Sequence, residues 1–152
     1  MMVITAKVKK RNILIALGVI AAILLLLFRP GSKSRAVDAP AVQKADTNEQ
    51  RIAYLESYGW TVESSPVETQ EVRIPKEQNE IFQRYNELQK SQGYDLSQFA
   101  GKTAKRYVYA ITNHPDGGNF YATVLVRDGQ VIGGDVASTD MGGKMHGFAK
   151  PT

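Results

Sequence analysis

The chain has no cysteine. That absence excludes disulfides, thiol nucleophiles, thiolate metal sites and a lipid-modified cysteine anchor, and it is compatible with any redox compartment. The signatures of several enzyme classes are missing too, among them a Gly-x-Ser-x-Gly elbow and a glycine-rich phosphate loop. An excess of positive charge is also lacking where a folded domain would lie. Seven of the nineteen Lys and Arg residues fall within residues 1–35, which contain no acid, and the remainder carries twelve bases against fifteen acids, a net charge of −3. A negatively charged domain whose bases are scattered singly among acids has no electrostatic footprint for a polyphosphate backbone, so nucleic-acid binding is excluded.

The clustered N-terminal bases flank the one long apolar run, Ile13 to Phe28, which holds no charge and is closed by Arg29 and Pro30. Twelve of its sixteen residues are Ile, Leu, Val or Phe. Together these favour insertion into a bilayer by roughly 4 to 7 kcal/mol. As a helix the run is roughly 24 Å long, short of a ~30 Å hydrocarbon core, and Arg11 and Arg29 make up the difference by snorkelling. A cleaved secretory signal is the rival reading, but the one tempting cleavage site, Ala39-Pro40-Ala41, lies far beyond Phe28 and contains a proline. An uncleaved, single-pass membrane anchor over residues 1–29 is therefore expected. Lys7, Lys9, Lys10 and Arg11 place the N-terminus in the cytoplasm and the C-terminal domain outside.

Residues 30–46 mix Pro, Gly, Ser and Ala with scattered charge and read as a flexible linker. What remains, about residues 47–148, suffices for one extracytoplasmic domain with one core. Thr47 and Gln50 form a capping box ahead of Ile52, Leu55 and Tyr58 at helical spacing, and Gly59 suits the left-handed position that ends the helix. Trp60 to Glu63 and Val67 to Ile74 read as short extended pieces around the Ser64-Ser65-Pro66 turn. A second helix is expected from Pro75, with Ile81, Phe82, Tyr85 and Leu88 as one apolar stripe, Glu77, Glu80 and Glu87 on its solvated face, and a stop at Gly93. Tyr94 to Gly101 is expected to be a short turn or helix carrying Leu96 and Phe99 inward. The period then changes to two across Tyr107, Tyr109 and Ile111 and again across Phe120 to Val126, and Asp128-Gly129 marks a two-residue hairpin to Gln130–Val136. The expected fold class is α+β: a small antiparallel sheet ending in a three-stranded meander, packed on one side by two helices. Met141, Met145 and Phe148 are the expected anchors of a glycine-rich tail.

Gly59-Trp60, Ile74-Pro75, Tyr85-Asn86-Glu87-Leu88-Gln89, Gly93-Tyr94-Asp95-Leu96, Gly101-Lys102, Arg106-Tyr107 and Gly133-Gly134-Asp135 recur in an order and spacing that resemble a bacterial family known as domain of unknown function 4830. The resemblance covers about residues 49–148. It implies a short bacterial protein with one N-terminal membrane segment, and it supplies neither an activity nor catalytic residues. At the level of fold the domain is also similar to PepSY-type extracytoplasmic modules, in which a helix packs on a small sheet ending in a hairpin; such modules are associated with protease regulation and accessory binding.

Few residues invite chemistry. His114 sits among turn-forming residues in Asn113-His114-Pro115-Asp116-Gly117-Gly118, and His146 lies in the tail. With Asp135 or Asp140 either histidine would provide a small hydrolase or metal-dependent enzyme, the alternative reading, although the spacing fits no metal motif. Asp116 and Asn119 lack the alternating acids of a calcium loop. Gly133-Gly134 reads as a bulge or a place where another backbone comes close. Tyr107, Tyr109, Phe120 and Tyr121 read first as packing residues. The function expected is thus non-enzymatic, with no cofactor and no metal: a tethered module binding an extracytoplasmic protein or peptide through a surface containing Gly133, Gly134, Asp135, Asn113 and His114.

Overall fold

The computed structural model describes residues 42–152. The expected anchor Ile13–Phe28 and most of the expected linker lie outside the described residues, among which no helix is long and apolar enough to cross a membrane. In chain order the elements are α1 (Asn48–Ser57), β1 (Glu68–Arg73), α2 (Glu80–Ser91), a 3-10 turn (Leu96–Phe99), β2 (Thr103–Ile111), β3 (Phe120–Arg127), β4 (Gln130–Ser138) and β5 (Met145–His146). The five strands form one antiparallel sheet in the order of the chain, β1-β2-β3-β4-β5. The expected meander is β2-β3-β4, extended by a strand on each side.

Turn and cap chemistry acts where the residue types require it. Asp128 and Gly129 turn the β3–β4 hairpin with φ of 49° and 73°, the left-handed pair that matches the twist of the flanking strands. Thr47 and Gln50 close a reciprocal capping box at 3.2 Å in both directions, and Gly59 ends α1 at φ 86°. Trp60 turns back so that its N–H donates to Leu55 O, and both side chains are buried together.

Because side chains alternate across a strand, β2 and β3 each supply two faces. Tyr109, Ile111, Phe120, Ala122 and Val124 join Tyr54 and Leu55 of α1, with Trp60 and Phe148, in one buried cluster. Ala104 and Leu125 point the other way and join Phe82 of α2, Leu96 and Ile74 in a second. The helices therefore cover opposite faces, which corrects the expectation that both pack on one side. Two strands buried on both faces read as nearly continuous apolar runs, and such runs do not say which helix lies where.

α2 also departs from expectation at its start. Ile74 remains tied to the sheet, donating from its N–H to Lys102 O and accepting from Gly101 N, so Pro75 extends an edge and does not open a helix. The helix begins five residues later, where Asn79 Oδ1 accepts from Phe82 N at 2.9 Å. Its inward face is Phe82, Asn86 and Gln89, while Ile81 is 80% exposed, which removes Ile81 from the expected stripe. Asn86 earns its buried place through polar bonds, accepting from Leu96 N and donating to Asp95. An apolar count alone cannot register that preference.

The C-terminal end is held by one of its three expected anchors. Phe148 is fully buried, but Met141 is entirely exposed and Met145 half so. At the other end, Gln43–Ala45 pairs with the hairpin through Val131 N to Gln43 O and Ala45 N to Gly129 O, so the last residues assigned to the linker belong to the folded body.

Gly134 is the tightest point of the sheet. A Cβ there would sit 2.1 Å from the Thr123 carbonyl oxygen and 2.4 Å from the Phe148 ring, and the first of these is backbone that cannot yield. In urea denaturation Gly134→Ala is expected to lower stability by about 2–3 kcal/mol. Gly117→Ala, at a left-handed φ of 66° but with open space around it, is expected to cost about 1 kcal/mol.

Candidate functional site

Between α2 and its face of the sheet lies a cleft of about 580 Å³, open on one side. Its walls are mainly apolar, with Ile74, Phe82, Val108 and Leu125 inside and Val67 and Met145 at an exposed rim. Three charged residues line it: Asp135 from β4, Arg106 from β2 and Glu68 from β1. Antiparallel register explains the grouping, since Glu68 pairs with Val108 two residues from Arg106, and Thr123, also in the cleft wall, pairs with Asp135.

Asp135 is 5% exposed. Its Oδ1 accepts from the Tyr85 hydroxyl at 2.7 Å, and among the described residues no donor reaches its Oδ2. Burial raises its pKa above the usual carboxylate range, opposed by the Tyr85 hydrogen bond, by the Arg106 charge and by the charge His146 gains on protonation. Burial and the adjacent carboxylate push the Tyr85 phenol upward in turn, so Tyr85 stays a donor. Arg106 spends one guanidinium nitrogen on Glu68 at 2.7 Å.

The residues singled out in the sequence are only partly brought together. Gly133 and Gly134 are buried: Gly133 lies against Gln89 and Leu96, and Gly134 donates its N–H to Gln89 Oε1 at 2.8 Å and accepts from Gln92 Nε2 at 3.0 Å. Of that triplet, only Asp135 lines the cleft. The bulge expected near these glycines falls just before them, where Leu125 pairs with Gly133 but Val126 pairs with Val131. Asn113 is exposed and braces the α1–β2 junction, accepting from Thr61 N and donating to Gly59 O. Tyr109 and Phe120 are core, Tyr107 lies beneath the Arg51 guanidinium at 3.7 Å, and Tyr121 lines the cleft. Sequence reasoning placed Tyr85 in the core and treated Arg106 only as part of a motif; their nearness to Asp135 had no local signal.

His114, expected in a solvated turn, is 8% exposed and lies parallel between Trp60 and Phe120 at centroid distances of 5.3 and 3.4 Å. Its Nε2 meets His146 Nε2 at 3.1 Å. The remaining contacts assign the protons. Asp116 N donates to His114 Nδ1, so His114 carries its proton on Nε2; His146 Nδ1 faces Gly147 O at 2.6 Å, so His146 is protonated there and accepts at Nε2. Both rings are neutral in this arrangement. The ring centroids are 5.4 Å apart, the nitrogen separation plus two ring radii, so the rings meet nose to nose. Two collinear nitrogens would need about 4 Å to hold a metal between them. Among the described residues no group of three or more His, Asp or Glu side chains is arranged to hold an ion. Neither Asp135 nor Asp140 hydrogen-bonds to an imidazole; Asp140 faces Asn119 at 3.4 Å.

Burial lowers the His114 pKa, with Asp116 acting against it and protonated His146, Lys144 and Lys150 acting in the same direction as burial. The unfolded chain then binds more protons than the folded one below about pH 6.5, so this group's contribution to stability is complete at neutral pH and declines on acidification. Asp135, with its raised pKa, works in the opposite sense at lower pH. Tm is expected to fall as pH drops below about 6.5, accompanied by quenching of Trp60, the one tryptophan, as the stacked imidazole becomes charged. A His114→Phe variant is expected to flatten both profiles.

The family model described as Domain of unknown function (DUF4830) matches residues 54–136, from the middle of α1 to β4. That span includes Tyr85, Arg106 and Asp135 of the cleft and stops short of His146 and Phe148. No curated protein and no solved structure matches the chain. With more than half of its 152 residues inside the match, the chain belongs to the DUF4830 family.

Proposed function

We propose that this protein is a non-enzymatic binding module, anchored in a cell membrane by Ile13–Phe28 and exposing residues 42–152 outside the cytoplasm. The observation that carries the reading is the apolar cleft of about 580 Å³, a size that suits a small ligand or a few residues of a peptide, with the buried Asp135 as its polar fixture. The anchor rests on the apolar run and its basic flank. A binding role accords with how the titratable side chains are used: each imidazole nitrogen of the His114–His146 pair already has a partner, and no carboxylate orients either ring as a general base requires. The interaction surface named from the sequence narrows to Asp135 and its neighbours across the sheet, because Gly133 and Gly134 lie behind Gln89.

Ala137 lines the cleft on β4 and is half-buried, so a large side chain there fills the space from its rim. Photo-crosslinking from position 145 in native cells is expected to trap a partner or ligand with the parent chain and to lose it with Ala137→Trp, while membrane fractionation follows Ile13–Phe28. A trapped species that persists with Ala137→Trp would reject the cleft as the binding site. Recovery of the chain in the soluble fraction with the apolar segment intact would reject the anchor.

A further inference from the structure

We infer that the cleft recognises an aliphatic amine, its ammonium group seated on Asp135 and its hydrocarbon body against the apolar walls, an inference that rests on the cleft being a binding site. Asp135 is buried to 5% exposure, yet only one of its carboxylate oxygens has a protein donor. The unpaired oxygen is not sealed in the core and so remains within reach of a ligand, and a carboxylate this nearly buried is costly without a paired counter-charge. The one base in the cleft does not fill this role. Arg106 bonds to Glu68 and makes no ion pair with Asp135 within 4.0 Å, so the lining retains a net charge of −1.

The chemistry of the ligand follows from what is vacant. A carboxylate accepts and an ammonium only donates, so an amine supplies both the missing hydrogen bond and the missing charge. An anion would meet the carboxylates of Glu68 and Asp135, with only Arg106, already paired to Glu68, to receive it. A guanidinium grips a carboxylate through two parallel bonds, but the Tyr85 hydroxyl occupies Oδ1, and this leaves a single-point contact that favours the compact ammonium over the planar fork. The walls provided by Ile74, Phe82, Val108 and Leu125 carry no hydrogen-bonding side-chain atoms and suit methylene groups.

Met145 lines this cleft and Met141 is fully exposed, so methyl-labelled methionines give a reporter and an internal control in one sample. The full chain in lipid nanodiscs would be titrated with hexylammonium, hexylguanidinium, hexanol and hexanoate while the methionine methyl signals are followed by NMR. Hexylammonium is expected to shift Met145 saturably, leave Met141 in place, and bind more tightly than the other three. Asp135→Asn is expected to weaken it by about tenfold or more, to the level of hexanol. Tyr85→Phe, which frees Oδ1, is expected to narrow the gap between ammonium and guanidinium. Equal binding of all four probes, or hexanoate binding as tightly as hexylammonium, would overturn the amine assignment and leave a cleft that binds apolar bodies. No change at Met145 with any probe would overturn both the amine assignment and the cleft as a ligand site.

Discussion

The fold is organised by an unusual solution to one open edge. β5 covers β4 only at Val136 and Ala137, so at Gly134 the backbone N–H and C=O face outward with no strand to pair them. Two glutamines one turn apart, Gln89 in the last turn of α2 and Gln92 at its C-cap, take the place of that strand: Gln89 accepts from Gly134 N, and Gln92 donates to Gly134 O. Gln92 accepts as well from Phe148 N, and Phe148 O accepts from Trp60 Nε1 at 2.6 Å. One chain of polar bonds thus joins the helix, the sheet edge, the C-terminal segment and the residue that follows α1. It depends on residue 134 having no side chain, because the Thr123 carbonyl and the Phe148 ring fill the space.

The cleft is a consequence of that docking. With Gln89 fixed on Gly134, Tyr85 lies one turn back on the same helix face, and the next residue along β4 is Asp135. The hydroxyl and the carboxylate meet for that reason. The amino-terminal half of α2 leaves part of the sheet uncovered, and strand alternation turns Arg106, Val108, Thr123 and Asp135 toward the gap. On the opposite face the same alternation presents Tyr109, Phe120 and Val124, which α1, Trp60 and Phe148 seal. One face of the sheet therefore secures the fold, and the other carries the cavity.

The histidine pair belongs to the sealed face. Trp60 and Phe120 hold the His114 ring between them, and His146 reaches it from β5, so the ring that looked like a turn residue helps fasten the C-terminal segment. Pro115, Asp116 and the two glycines do form a turn, with Gly117 N donating to His114 O. Turn chemistry was legible there; the burial of the histidine that opens the turn was not, because it depends on Trp60, more than fifty residues away in the chain. α2 offers the same lesson. Asn86 and Gln89 are polar residues facing inward, and what makes that favourable is backbone groups outside the helix, at Leu96 just beyond its end and at Gly134, the second of which no window of sequence around the helix contains.

By itself the sequence determined the elements whose causes are local: the capped first helix, the Asp128-Gly129 hairpin, the alternating strands, the stop at Gly93 and the family, along with the absence of thiol chemistry and of a basic surface. These follow from φ preferences, side-chain periodicity and composition, each readable within a few residues. Tertiary structure alone decided which face each helix covers, that Gly134 is a contact and not a surface, and that Tyr85, Arg106 and Asp135 share one cavity. Those outcomes depend on distances between segments fifty residues apart, and strand register and helix docking, not local propensity, set such distances.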